Sequence, residues 1–191
     1  DFKVVAAPYD VPSRENWTDL VAHEAGRLIL GVQAFGSYWV RMERVDALPS
    51  LVITGLDGNI HAVAFDEDAY ALGMGGSYEF ETTSLRFSYS SMTTPEQTFD
   101  YDMATRVRTL LKEQEVPSGH KAENYVTRRI QVSAPDGETV PVSLLYRKET
   151  ILDGNAPCLL YGYGAYGMSM PASFSTARLS LVDRGFVYAI A

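Results

Sequence analysis

Short alternating or continuous apolar runs fill the chain from Arg27 to about Leu111, and Gly, Pro, Asp and Asn stand at the breaks between them. This pattern is typical of β-strands joined by turns. The runs fall into two groups, 28–65 and 70–111, which predict two blades of a β-propeller or part of a β-sandwich. Two blades cannot close a ring, so we expect the chain to be a piece of something larger.

The pattern changes after this region. Residues 112–121 are polar and contain Pro117 and Gly119, which predicts a linker or domain junction. Two strand-like runs follow and meet at Asp136-Gly137, a dipeptide typical of a tight β-hairpin turn. The hairpin therefore opens a second structural region.

The last part of the chain predicts a βαβ unit. The run "APCLLYGYG" is continuously apolar, as expected of a strand buried on both faces. In "FSTARLSLVDRG", Phe174, Ala177, Leu181 and Val182 approximate helical spacing. Ser173 or Ser175 can cap the start of this helix, and Gly185 can close its end. The run "FVYAIA" supplies a further strand, so we predict a partly parallel sheet.

Composition limits the possible partners. The 191 residues include 46% hydrophobic residues, enough for a core, and carry a formal net charge of -8. That charge argues against nucleic acid or an anionic membrane as partner and favours basic ligands. No apolar stretch approaches the roughly 20 residues of a membrane span. Cys158 is the single cysteine, and we expect it to be a buried small hydrophobe.

Several catalytic patterns are absent from the sequence. No G-x-S-x-G nucleophile elbow occurs, because "GMSMP" has Pro171 where the second glycine should stand. No metal-ligand spacing occurs either, so we predict neither a metal nor a cofactor. The glycines of "GYGAYG" match a dinucleotide fingerprint only formally, because no acidic residue ends a following strand. We interpret the remaining polar candidates as surface or turn residues: His23, His61, His120, Asp66, Glu67 and Asp68.

The stretch "LLYGYGAYGMSMP" is the one feature that suggests a mechanism. It leaves the carboxyl end of the predicted buried strand, where open α/β sheets bind their ligands. A tyrosine hydroxyl can donate a hydrogen bond to a developing oxyanion. The residues alone leave two interpretations open, a loop that reaches a reaction site and aromatic packing under a glycine-rich turn.

Three segments resemble a known family, in order along the chain. They are "YSSMTTPEQTFDYDMATRVRTLLKEQEVPSGH", "YVTRRIQVSAPDGETVPVSLLYRK" and "PCLLYGYGAYGMSMPASFSTARLSLVDRGFVYAIA". Together they resemble the prolyl oligopeptidase family of serine peptidases. The likeness is densest from Leu85 to Ala191.

The resemblance implies a fold and a site. It implies that residues 1–116 are the last blades of a seven-bladed β-propeller and that residues 117–191 begin an α/β-hydrolase peptidase domain. Tyr163 matches the second tyrosine of the family's Tyr-Gly-Tyr-Gly motif, the oxyanion-hole side chain, whereas Tyr161 and Tyr166 are expected to pack. The Ser, Asp and His of the triad lie beyond residue 191 in the family's order. We therefore expect the isolated chain to be inactive.

The closest likeness is to the branch of the family that cleaves short peptides after Lys or Arg, which implies a cytoplasmic endopeptidase with short basic peptides as substrates. Some members carry acidic residues where this chain has Pro171, Ala172 and Ser173. A charge contribution to substrate binding from that segment is therefore not expected. Two alternatives stay open, a non-catalytic propeller-type binding module and a proline-specific or exopeptidase member of the family. The sequence gives no oligomeric state.

Overall fold

The computed structural model describes residues 2–191, which divide into two compact units between Val63 and Ala64. The strands of the first unit are β1 (Val4–Ala6), β2 (Thr18–Val21), β3 (Arg27–Ala34), β4 (Tyr38–Val45), β5 (Leu48–Gly55) and β6 (Ile60–Ala62). The second unit contains β7 (Tyr70–Met74), β8 (Ser84–Ser91), β9 (Gln97–Asp102), β10 (Arg108–Glu113), β11 (Tyr125–Ser133), β12 (Thr139–Arg147), β13 (Cys158–Tyr161), the helix α1 (Thr176–Val182) and β14 (Val187–Ile190). No helix of residues 2–191 is long and apolar enough to cross a membrane.

The first unit holds a four-stranded antiparallel sheet in the order β3-β4-β5-β6, beside a separate β1-β2 ladder. Its core is formed by Val40, Leu51 and Ile53, which have no solvent exposure. Two residues, Asp46 and Ala47, connect β4 to β5, and both have positive φ angles. Paired positive φ angles fit the type I′ turn, whose twist matches that of the flanking strands. The strand group predicted over 28–65 is confirmed as one sheet.

The second unit begins with another four-stranded antiparallel sheet, in the order β10-β9-β8-β7. Leu85 and Phe87 on β8 are fully buried, and Phe87 stacks against Phe99 of β9 with ring centroids 5.5 Å apart. Large aromatic and aliphatic side chains at alternate positions of β8 thus fill one face of this sheet. The group predicted over 70–111 is confirmed as well. We call this sheet the second blade.

The last sheet is mixed, in the order β11-β12-β14-β13. The predicted hairpin is confirmed: β11 pairs with β12, and Gly137 in the turn has a φ of +91°. The predicted βαβ unit is also confirmed, because β13 and β14 are parallel and α1 lies between them in the chain. Gly185, with a φ of +89°, follows the helix as expected of a C-terminal glycine. Ser175 occupies the N-cap position, although its side chain makes no capping hydrogen bond.

Two sequence predictions for this sheet are wrong. Within residues 2–191, β13 is not buried on both faces: Cys158, Leu160 and Tyr161 are exposed, because β14 is the only partner of β13 among these residues. The apolar face of α1 also differs, since Leu179 is buried and Ala177 is exposed. Apolar composition alone does not reveal which strand stands at the edge.

A single buried cluster joins the second blade to the mixed sheet. Ala69 and Met92 come from the blade, and the other members come from the sheet, α1 and the loop before it: Leu145, Ala172, Leu179, Val182, Tyr188 and Ile190. We call this set the junction core. It explains why residues 64–191 form one compact unit, and it places blade residues directly behind the βαβ unit.

Candidate functional site

The tyrosine loop begins where β13 ends and contains a short 3₁₀ turn at Ala165–Gly167. Tyr161, the last residue of β13, lies opposite Ile190 of β14, and its carbonyl accepts a hydrogen bond from the Ala191 N–H at 3.0 Å. The loop therefore leaves the carboxyl edge of a parallel strand pair. Ligands of open α/β sheets bind at this edge.

Tyr163 projects from the first turn of this loop. Its side chain is 44% exposed, and its hydroxyl makes no hydrogen bond within the part of the chain that the structure describes. Tyr161 is 40% exposed and Tyr166 is 94% exposed, so the expectation that these two pack is wrong for residues 2–191. A free phenol at this edge is able to donate a hydrogen bond to a ligand.

The backbone of the loop is constrained at Tyr166, which has a φ of +58°. A non-glycine residue in this left-handed region costs about 1–2 kcal/mol. Gly167 follows with a φ of +69° and an open environment. The loop thus combines one strained tyrosine with one glycine that adopts the same region without steric cost.

His120 lies at the junction of the second blade and the mixed sheet, and its prediction as a surface or edge residue is wrong. Its Nε2 lies 2.6 Å from the Thr93 carbonyl oxygen, which can only accept, so Nε2 carries the proton. The imidazole stacks on Tyr125 and meets Phe174 edge-on, at centroid distances of 5.4 and 4.9 Å. Its Nδ1 is buried and has no hydrogen-bond partner among residues 2–191. His120 therefore contributes to packing at the junction.

Glu67 also departs from its prediction as part of a solvated turn, whereas its neighbours Asp66 and Asp68 are exposed. Its Oε1 accepts hydrogen bonds from the Ser91 and Thr93 hydroxyls, both at 2.7 Å. Its Oε2 accepts from the Thr94 hydroxyl at 3.1 Å and from the Tyr89 hydroxyl. Sequence reasoning missed this arrangement because its only signal is the distant hydroxyl-rich run "YSSMTT".

Ionisation of Tyr89 is suppressed in this arrangement. Burial is the first cause of its raised pKa, and the hydrogen bond to the Glu67 carboxylate is the second. Both effects favour the neutral phenol, because a phenolate would be desolvated and would repel the adjacent negative charge. Tyr89 therefore remains a hydrogen-bond donor to Glu67.

A second polar network ties the hairpin to the end of α1. The Tyr125 hydroxyl donates to Asp183 Oδ1 at 2.8 Å, and Arg147 donates to the same oxygen at 3.0 Å. Arg147 also pairs with Glu149. Burial, and then the hydrogen bond to Asp183, raise the pKa of Tyr125. This network fixes the helix that connects β13 to β14.

The tyrosine loop offers a hydrogen-bond donor in the exposed Tyr163 phenol. Among residues 64–191, His120 is the one histidine, and it is engaged at the junction. Within residues 2–191 no group of His, Cys, Asp and Glu side chains is arranged to hold a metal ion. A phenol in this position is chemically able to donate a hydrogen bond to an oxygen that carries negative charge.

Comparisons with known proteins agree with this geometry. Residues 1–114 match the N-terminal beta-propeller domain of prolyl oligopeptidase. Dipeptidyl aminopeptidase BI of Pseudoxanthomonas mexicana is 46% identical over 192 residues, which cover 100% of this chain and 26% of that protein. The two antiparallel four-stranded sheets are thus confirmed as β-propeller structure.

Solved structures of longer relatives superpose closely on the chain. Oligopeptidase B from Trypanosoma brucei with covalently bound antipain has a TM-score of 0.90 and 34% identity, covering 99% of this chain and 28% of that one. Oligopeptidase B from Leishmania major has a TM-score of 0.90 and 31% identity with the same coverage. The chain spans about a quarter of the length of these relatives.

Proposed function

Because the chain belongs to the prolyl oligopeptidase family, a family of serine peptidases, we propose that the full-length protein cleaves short peptides and that Tyr163 is an oxyanion donor. The observation that carries this proposal is the free phenol at the carboxyl edge of β13 and β14. We further propose that residues 117–191 begin an α/β-hydrolase domain, whose later part supplies the Ser, Asp and His. The isolated chain is then inactive.

The proposed role of Tyr163 follows from the charge that develops during acyl transfer. The attacked carbonyl oxygen becomes negative in the transition state, and a pre-placed donor in a site that excludes water stabilises that charge. The loop after the third strand of an α/β-hydrolase supplies one such donor. The Tyr163 hydroxyl has no described partner that it must give up, so donating costs no existing hydrogen bond.

For the substrate, we propose cleavage after Lys or Arg, as in an oligopeptidase B. The likeness to the two oligopeptidase B structures supports this choice, and the formal net charge of -8 is compatible with basic substrates. The exposed Pro171 and buried Ala172 contribute no charge, so the acidic groups that would select Lys or Arg lie outside these positions.

A second candidate is a dipeptidyl aminopeptidase, which removes two residues from a free amino terminus. The 46% identity to dipeptidyl aminopeptidase BI favours it. The two activities differ in one requirement: an aminopeptidase needs the free α-amino group of its substrate, whereas an endopeptidase accepts a blocked one. A non-catalytic propeller module is the remaining alternative and predicts no turnover of any peptide.

The test is a substrate panel on the full-length protein. Matched fluorogenic peptides end in Arg, Lys or Pro before the cleaved bond, each with a blocked or a free amino terminus. We expect turnover of blocked Arg and Lys peptides and inhibition by a serine-reactive reagent. Turnover only of dipeptide substrates with a free amino terminus would favour the aminopeptidase. Turnover only of the peptides that end in Pro would favour a proline-specific enzyme, and no turnover of any peptide would overturn the enzyme proposal.

The role of Tyr163 is tested in the same assay by Tyr163→Phe. Losing one oxyanion donor typically lowers kcat about 10²- to 10³-fold, and we expect a decrease of this size with KM little changed. Tyr78→Phe is the matched control, because Tyr78 is a fully exposed tyrosine in a loop of the second blade. Equal kcat in Tyr163→Phe and Tyr78→Phe would refute the oxyanion role.

A further inference from the structure

The Glu67 carboxylate is held entirely by hydroxyl groups. Four hydroxyls donate to its two oxygens, and it forms no ion pair with any basic side chain in residues 2–191. Hydrogen bonds to a charged group contribute about 1.5–3 kcal/mol each, more than bonds between neutral groups. Four such bonds converging on one side chain fix the loop before β7 firmly against the end of β8.

The turn after β8 is held from two directions. The Thr93 hydroxyl donates to Glu67, and the Thr93 carbonyl accepts from His120. Within the turn, the Ser91 hydroxyl accepts from the Thr93 and Thr94 N–H groups at 3.0 and 2.8 Å while it donates to Glu67. These bonds restrain the backbone of residues 91–94 from both sides.

This turn and the loop before β7 supply the blade's share of the junction core. Met92, which is 1% exposed, lies between Ser91 and Thr93, and the fully buried Ala69 lies two residues after Glu67. On the other side, the junction core contains Tyr188 and Ile190 of β14. A shift of the turn would thus displace the surface against which β14 packs.

β14 in turn sets the position of the tyrosine loop. Tyr188 lies opposite Leu159 and Ile190 lies opposite Tyr161 in the parallel pairing. The Ala191 N–H then bonds the Tyr161 carbonyl. This ladder ends at Tyr161, and Tyr163 follows two residues later, so a displacement of β14 moves the start of the loop that carries the Tyr163 hydroxyl.

We propose that Glu67 is a positioning residue for Tyr163, acting through the turn 91–94, Met92 and β14. The proposal rests on the proposed oxyanion role of Tyr163. Glu67 touches neither substrate nor reacting atoms; it fixes the packing surface that sets where the phenol stands. Positioning of this kind matters because an error of about 1 Å at a reacting group can cost about 100-fold in rate.

Glu67→Gln in the full-length protein tests the proposal with little change of volume. The amide has an NH2 group with two N–H donors where the carboxylate had an accepting oxygen, so one pair of hydroxyls loses its acceptor unless these hydroxyls turn to accept. We expect kcat to fall about tenfold with KM within about twofold of the wild type. Asp66→Asn and Asp68→Asn remove the same charge from exposed positions of the same loop and are expected to leave kcat unchanged.

A double-mutant cycle with Tyr163→Phe separates positioning from a general loss of structure. If Glu67 acts through the phenol, Glu67→Gln lowers kcat by less than about twofold once the hydroxyl is absent. The positioning role would be overturned if Glu67→Gln lowered kcat equally in the wild type and in Tyr163→Phe. It would also be overturned if Glu67→Gln alone left kcat unchanged or changed only KM. An unchanged kcat in Tyr163→Phe alone would instead overturn the oxyanion proposal, so the two failures are distinguishable.

Discussion

Met92→Ala tests whether the second blade and the mixed sheet share one core. Met92 is 1% exposed and belongs to the junction core, together with Leu145 and Val182 of the sheet region. The substitution removes the Cγ, Sδ and Cε atoms from a site with no access to solvent. Because neighbours from two sheets surround this site, we expect the resulting cavity to weaken both.

The magnitude follows from the buried group. Burying a methionine side chain is worth about 1.5–3 kcal/mol, and the unfilled cavity adds to its loss. We therefore expect the free energy of unfolding to fall by about 2–5 kcal/mol. Met103→Ala is the matched control, because Met103 is also 1% exposed but lies outside the junction core.

Amide hydrogen exchange of the full-length protein measures where each substitution acts. Met92→Ala is expected to speed exchange in β12 and β14 as well as in the second blade, whereas Met103→Ala speeds exchange in the blade alone. Unchanged protection of β12 and β14 in Met92→Ala would refute the shared core. It would also break the physical path from Glu67 to Tyr163.

Two further predictions concern the hairpin and the Glu67 site. Gly137→Ala forces a non-glycine residue to a φ of +91°, where an added Cβ meets no atom within 4 Å, so we expect a purely conformational loss of about 1–2 kcal/mol in chemical denaturation. Gly76→Ala, equally unhindered but without a positive φ, should be near neutral, and equal losses in both would contradict this explanation. For Tyr89, the raised pKa means that its stabilising contribution is complete below the ordinary value of 10.0 and declines as the pH rises above it. In an ultraviolet titration between about pH 9 and 11, the wild type and Tyr89→Phe should therefore show the same number of ionising tyrosines. One fewer ionising tyrosine in the variant would contradict the raised pKa.

The strands and the hairpin could be predicted from the sequence. Alternating apolar runs and the Asp136-Gly137 turn depend on local chemistry, so they predicted both blade sheets and the hairpin. The strand-helix-strand pattern likewise predicted the parallel pair. The domain division at 116 and 117 stays a prediction, because the compact units instead separate between Val63 and Ala64.

Burial and long-range polar contacts could not be predicted from the sequence. Cys158 and β13 look like core in the sequence, yet they are exposed within residues 2–191, where β14 is the only partner of β13, and strand partners are a property of the whole sheet. Glu67 and His120 look like surface residues, yet their hydrogen-bond partners lie 22 or more residues away in the sequence. Local patterns carry no information about such pairings. The role of Tyr163 was predicted from resemblance alone and stays a prediction.

The most direct test of the oxyanion role is the affinity of the full-length protein for a peptide aldehyde that ends in Arg. An aldehyde forms a tetrahedral adduct with the catalytic serine, and its oxygen occupies the place of the oxyanion. We expect Tyr163→Phe to weaken aldehyde binding by about the same factor as it lowers kcat/KM, about 10²- to 10³-fold, and to leave binding of the corresponding peptide acid unchanged. Equal aldehyde affinity in the wild type and Tyr163→Phe would contradict the account.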